Sequence, residues 1–158
     1  MTYDFKSSLA EGLESGALAT RNNDAINDVI DEFARQIFEG TDEQVIICRA
    51  LLYDIGGYIT HDPDEPGNNV PSFEAIVARP PGWEEGQEDS EFILAELARG
   101  ERGFPCTVIC DGYEFQCDDP EALQEALGEL ISLASTGEIL NHLRNPGESA
   151  VEPSRRPL

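Results

Sequence analysis

Histidines, cysteines and clustered carboxylates are the side chains here with the means to do chemistry, and each group has a spacing that can be tested. His61-Asp62-Pro63-Asp64-Glu65 gathers an imidazole and several oxygen ligands into one short stretch. A calcium loop of the EF-hand type needs acids at its first, third and fifth positions, glycine at the sixth and glutamate at the twelfth. Counted from Asp62, Gly67 fits the sixth, but Pro66 stands fifth and Phe73 twelfth. The stretch is expected to be a solvated acidic turn and not a metal site.

Cys106, Cys110 and Cys117 are the second group. No histidine lies at a zinc-finger offset from them. Asp111-Gly112 between two alternating runs is a strong two-residue turn signal. That turn sets Cys110 opposite Tyr113 and Cys106 opposite Cys117, with Cα atoms ~5.5 Å apart, inside disulfide range. All three thiols share an apolar face with Val108 and Phe115. They are therefore expected to act as small buried hydrophobes that react slowly.

General acid–base or nucleophilic catalysis needs a base near neutral pKa, usually histidine. Besides His61, expected in a mobile loop, only His142 is present. It flanks the apolar stripe of the last helix near its C-terminal end, where a cation suits the helix dipole. No G-x-S-x-G, glycine-rich phosphate loop or H-E-x-x-H occurs. No catalytic residue, cofactor or metal is expected.

The carboxylates remain, and they dominate the chain. Thirty-two Asp and Glu face ten Lys and Arg, giving a formal charge of −22 on 158 residues. Such a surface repels nucleic acid and anionic membrane, and favours a basic partner or a cytosol salty enough to screen it. From Gly103 to Leu143 there are eight carboxylates and no lysine or arginine. Glu121, Glu125 and Glu129 recur every fourth residue and would form one helical ridge with ~6 Å between charges. Asp118 precedes them. Glu84, Glu85, Glu88, Asp89 and Glu91 form a second cluster beside Trp83, a candidate aromatic anchor at an interface rim. For any single acid, a solvated face explains it. The ensemble exceeds that, since solubility needs a net charge of only ~2–8 in a small domain.

The elements that would position these groups follow from periodicity. Residues 1–21 read as a loose or marginally helical arm. A helix then starts at Asn22-Asn23, with Ile26, Val29, Ile30, Phe33, Ala34 and Ile37 as its apolar stripe and Gly40 as its end. Val45 to Tyr53 could open on a Thr41/Gln44 capping box, but Val45-Ile46-Ile47 is β-branched, so a strand is preferred. Tyr58–Thr60 and Phe73–Ala78 are further strands. The acidic 84–91 stretch leads into Phe92–Arg99, which reads as a short helix with Glu91 at its start and Arg99 at its end. After the hairpin, Asp119 caps a helix with Pro120 at its first position. A capping box of Ser135 and Glu138 opens the last helix.

The order implies an α+β fold: a mostly antiparallel sheet of about four or five strands, with helices packed on one face. The organisation is an N-terminal arm (1–21), one α+β domain (22–145) and a disordered tail (146–158) carrying Arg155 and Arg156. Met1 to Gly16 lacks the apolar core of a signal peptide, and no apolar run approaches the ~20 residues of a membrane span. A cytoplasmic location with reduced thiols is expected. These features point to a non-catalytic acidic protein that docks a basic protein surface, with no direct contact to nucleic acid or membrane. In its sharpest form it is a nucleic-acid-mimicking inhibitor of a phage or mobile element, blocking a nucleic-acid-handling enzyme. Its rivals are a housekeeping domain of a salt-accumulating organism and a small carboxylate-based enzyme.

Overall fold

The computed structural model describes residues 4–55, 58–61 and 71–145. Among them the order is α1 (Phe5–Gly40), β1 (Ile46–Ile55), β2 (Tyr58–Thr60), β3 (Ser72–Arg79), β4 (Phe92–Gly100), β5 (Gly103–Cys110), β6 (Tyr113–Cys117), α2 (Pro120–Ser132) and α3 (Ala134–Arg144). The strands form one antiparallel sheet in the order β2-β1-β3-β4-β5-β6. This is the expected α+β architecture, with one strand more than the sequence suggested.

The local signals lie where they should. Asp111 and Gly112 both take positive φ, the geometry a tight hairpin turn demands, and Cys106 pairs with Cys117 as Cys110 does with Tyr113. Asp119 Oδ1 accepts the Ala122 amide at 2.8 Å, and Pro120 starts α2. Leu123, Ala126, Leu127 and Leu130 are buried along that helix.

All three helices bury apolar residues against one face of the sheet. Ile26 and Ile30 of α1, Leu123 and Leu127 of α2 and Ile139 of α3 join Ile47, Ile76, Leu94 and Val108 in a single core. The alternate strand residues Ala50, Leu52, Ala75, Val77 and Ile93 form a smaller buried cluster on the opposite face.

Three expectations are corrected. First, the chain is helical from Phe5 without a break at Asn22, so the helix expected to start at Asn22-Asn23 begins 17 residues earlier, in the stretch read as a loose or marginally helical arm. The helix is capped by Asp4, whose Oδ1 accepts the Ser7 amide. Asn22 and Asn23 sit mid-helix because they serve tertiary contacts. Asn22 Nδ2 donates to the Arg102 carbonyl at 2.8 Å, while Arg99 donates to Asn23 Oδ1 at 2.9 Å and to Asn27 Oδ1 at 2.6 Å. The β4–β5 turn approaches α1 so closely here that a Cβ on Gly103, at φ 85°, would stand 2.8 Å from Asn22 Cβ.

Second, Phe92–Gly100 is an inner strand of the sheet and not a helix. Leu94 is an extra residue in the ladder, because Ile76 pairs with Ala95 while Val77 pairs with Ile93. This bulge puts Phe92, Leu94, Ala95 and Leu97 all into the helix-side core. Their spacing then departs from period two and imitates a helical stripe. Third, α3 begins after Leu133 with no side-chain cap, so Ser135 and Glu138 form no capping box. Thr41, meanwhile, closes α1 instead of opening a helix, donating from Oγ1 to the Ile37 carbonyl at 2.7 Å. The Asp62–Glu65 acids and the tail at 146–158 lie outside the described residues.

Candidate functional site: an acidic helical surface

With α1 and α2 seated on the sheet, their solvent sides form one outer surface. On α2 that side carries Glu121, Glu125 and Glu129, all exposed, with exposed Asp118 just before the helix. The ridge is held rigid from below by four buried residues and from its start by the Asp119 cap. Exposed Asp24, Asp28 and Asp31 occupy the outer side of α1. Neither set of three forms an ion pair among the described residues.

Two furrows flank α2. One, between the helices, is lined by Val29, Phe33, Ile37, Gln124, Leu127 and Gly128 among others. The second lies against the hairpin, where Glu125 and Glu129 meet Leu133 and the stacked rings of Tyr113 and Phe115, 6.1 Å apart. Tyr113 is 53% exposed. Acidic side chains thus border apolar troughs that a partner's side chains could enter. Arg35 on α1 is already engaged: its Nε donates to Glu32 Oε2 at 2.8 Å and its Nη1 to Glu39 Oε1 at 2.7 Å. The guanidinium beside Glu32 holds that carboxyl well below the usual range, at about 2. It offers little positive charge to the ridge.

The second sequence cluster lies elsewhere and is divided. Ala78 joins the helix-side core, so by strand alternation Arg79 projects from the opposite face. Trp83 lies under Arg79, whose guanidinium carbon is 3.9 Å from the ring centroid, and Trp83 Nε1 donates to the Gln87 carbonyl at 2.8 Å. Its ring is half-buried and already occupied by a cation, so it is not a projecting anchor. Glu84, Glu85 and Asp89 are exposed nearby and Glu88 is half-buried. They do not join the α2 ridge.

Glu91 is the clear misassignment. At 1% exposure it is buried, accepting from Arg79 Nε at 2.6 Å and lying 2.8 and 2.9 Å from His61 Nε2. His61 also lies 5.4 Å from the Trp83 ring. This cluster ties the ends of β2 and β3 to the start of β4, and His61, expected in a mobile loop, is one of its members. Sequence reasoning missed it because its partners are 12 and 30 residues from Glu91. A glutamate directly before the apolar run Phe92-Ile93-Leu94-Ala95 was the only available hint. Cys48 is half-buried on the same face, and burial pushes its thiol pKa up.

The hairpin thiols are buried, and none of the four cysteines is in a disulfide. Burial pushes Cys110 up to about 11 and Cys117 up to about 12, the latter also raised by Cys106 and the nearby Asp118 and Asp119. His142 packs edge-on against Phe92 at 5.5 Å. Its Nδ1 is buried without a hydrogen-bond partner among the described residues. No group of three metal-ligating side chains occurs among the described residues, and no described helix is long and apolar enough to cross a membrane.

No known family, curated protein or solved structure matches the chain.

Proposed function

We propose that the protein is a non-catalytic acidic binding protein that docks a basic protein surface on the outer side of its helical layer. The observation that carries this reading is the ridge of Glu121, Glu125 and Glu129 with Asp118, exposed on a rigid helix and free of basic neighbours in sequence from Gly103 to Leu143. Like charges every fourth residue cost a few tenths of a kcal/mol per pair, a cost that a basic partner would reverse. The flanking furrows would give such a partner apolar purchase beside the charges. Mimicry of nucleic acid is the finer version. The ridge alone has one charge per ~6 Å, against one per ~3.4 Å along a DNA strand, so mimicry needs the α1 acids as well.

The test is retention of proteins from the native host on wild-type chain and on a Glu121→Gln, Glu125→Gln, Glu129→Gln, Asp118→Asn variant. Basic proteins held by the wild type, released by salt and lost on the variant, support the reading. Equal retention by both, or binding indifferent to salt, refutes it. A captured nucleic-acid-handling enzyme whose substrate competes for binding would establish mimicry.

One observation favours a rival. Glu84, Glu85 and Asp89 are exposed in the β3–β4 connection near Trp83, so exposed acids are not confined to the helical surface. A housekeeping domain adapted to a salty cytosol would have that distribution. Such a domain melts in dilute buffer and is sharply stabilised by molar KCl, whereas the binding reading expects full stability at low salt.

A further inference from the structure

Residues 5–13 of α1 contain an apolar line that the core does not use. Phe5, Leu9 and Leu13 are 73%, 62% and 66% exposed. At 100° per residue Phe5, Leu9 and Leu13 lie about 40°, 80° and 120° round the helix from the centre of the Ile26, Ile30 and Ile37 stripe, so the line turns progressively away from the core side and Leu13 lies farthest from it. Beside them, Glu11, Ser15 and Leu18 line a hollow with Arg102 of the β4–β5 turn, which marks the side that faces the body. The leucines point away from it.

Further along the same helix, Asp24, Asp28 and Asp31 are exposed and lie on average roughly 70° round from the leucine line. A single continuous helix thus presents apolar contacts for its first half and carboxylates for its second, on neighbouring faces spanning ~39 Å of helix from Phe5 to Asp31. We infer that α1 is the docking rail for an amphipathic helix of another protein, one whose apolar residues cover Leu9 and Leu13 and whose Lys or Arg residues cover Asp24, Asp28 and Asp31. This rests on the acidic-binding reading and specifies its partner.

Charge complementarity selects that occupant over a second copy of the chain. In parallel pairing, Asp24, Asp28 and Asp31 would meet their own copies and repel. Antiparallel pairing over the full length would set the leucines of one copy against the aspartates of the other. A helix with apolar and basic halves satisfies both at once.

The probe is a synthetic 26-residue helical peptide with a leucine stripe in one half and a lysine stripe in the other, made in both chain directions. Binding to the full chain is followed by fluorescence anisotropy. One of the two peptides is expected to bind, and a scrambled peptide of equal composition to bind at least about tenfold more weakly. Leu9→Gln with Leu13→Gln, or Asp24→Asn with Asp28→Asn and Asp31→Asn, should each weaken binding about tenfold, and the aspartate set should also flatten its salt dependence. Both sets are exposed, and an unchanged helical circular dichroism signal confirms that α1 persists.

Indifference to the leucine substitutions, or equal binding of the scrambled peptide, overturns the inference. So does a dimer of the chain that Leu9→Gln with Leu13→Gln dissolves, or binding to neutral phosphatidylcholine vesicles in preference to the peptide. Poly-lysine separates this from the parent reading. If poly-lysine binding falls with Glu121→Gln, Glu125→Gln and Glu129→Gln while the peptide ignores the leucines, only the rail fails. If poly-lysine ignores the α2 ridge, the acidic-binding reading itself fails.

Discussion

Glu91 shows how a charge of one type can have two opposite uses in a single chain. Exposed, it would have been one more surface acid; buried against Arg79 and His61, it fastens three segments at one end of the sheet. Removing one partner of a buried ion pair leaves a charge without compensation and costs about 3–5 kcal/mol, whereas exposed pairs contribute about 0–1 kcal/mol. Arg79→Met should therefore lower unfolding stability in urea severalfold more than Arg35→Met, although both arginines contact glutamate. Equal losses would deny the cluster its role. The thiols make a second residue-scale prediction. Cys110 and Cys117 have folded pKa values raised to about 11 and 12, above the ordinary thiol value near 9. Their contribution to stability is then complete below pH 9 and is lost as pH rises towards 11–12, because the unfolded chain releases those protons first. At pH 8 a thiol reagent should label the native hairpin cysteines far more slowly than the urea-unfolded ones. Native labelling at the unfolded rate would contradict their burial.

At the scale of elements, helix α2 contains a glycine its packing does not require. A Cβ at Gly128 would meet nothing within 4 Å. Glycine within a helix costs up to about 1 kcal/mol relative to alanine, so Gly128→Ala should raise stability by about that amount in urea unfolding. Because Gly128 lines both furrows, the same substitution should weaken a partner that lies across α2. Unchanged or lower stability would mean that α2 is strained there. The hairpin and α2 were legible in the sequence because their determinants are local: a turn pair, a cap, a proline and one clean period. Strand β4 was not, because the bulge at Leu94 replaces period two with a spacing that resembles a helix, and its leucines and alanines are helix formers. The first half of α1 was not legible either. Gly12, Gly16 and a leucine line rotated off the core stripe look like irregular chain until the whole 36-residue helix is seen. Of the candidate site, the α2 ridge was readable from spacing alone. That Trp83 packs on Arg79 instead of projecting beside the Glu84–Asp89 acids depended on a contact between β3 and the following loop, which no local pattern encodes.

For the whole molecule the question is whether position or only total charge matters. A net −22 gives any basic molecule a long-range attraction, and salt weakens it regardless of where the acids sit. A docking surface adds something that total charge cannot: three carboxylates on one rigid ridge should count for more than three elsewhere. The most direct measurement is the association rate of a basic probe such as poly-lysine, across ionic strength, with two variants of equal net charge. One is Glu121→Gln, Glu125→Gln, Glu129→Gln on the α2 ridge; the other is Glu84→Gln, Glu85→Gln, Asp89→Asn in the β3–β4 connection. The ridge variant is predicted to associate several-fold more slowly than wild type with a flatter salt dependence, the other variant to stay near wild type. Equal slowing in both would show that only net charge is felt, and the helical surface would lose its claim to be a site.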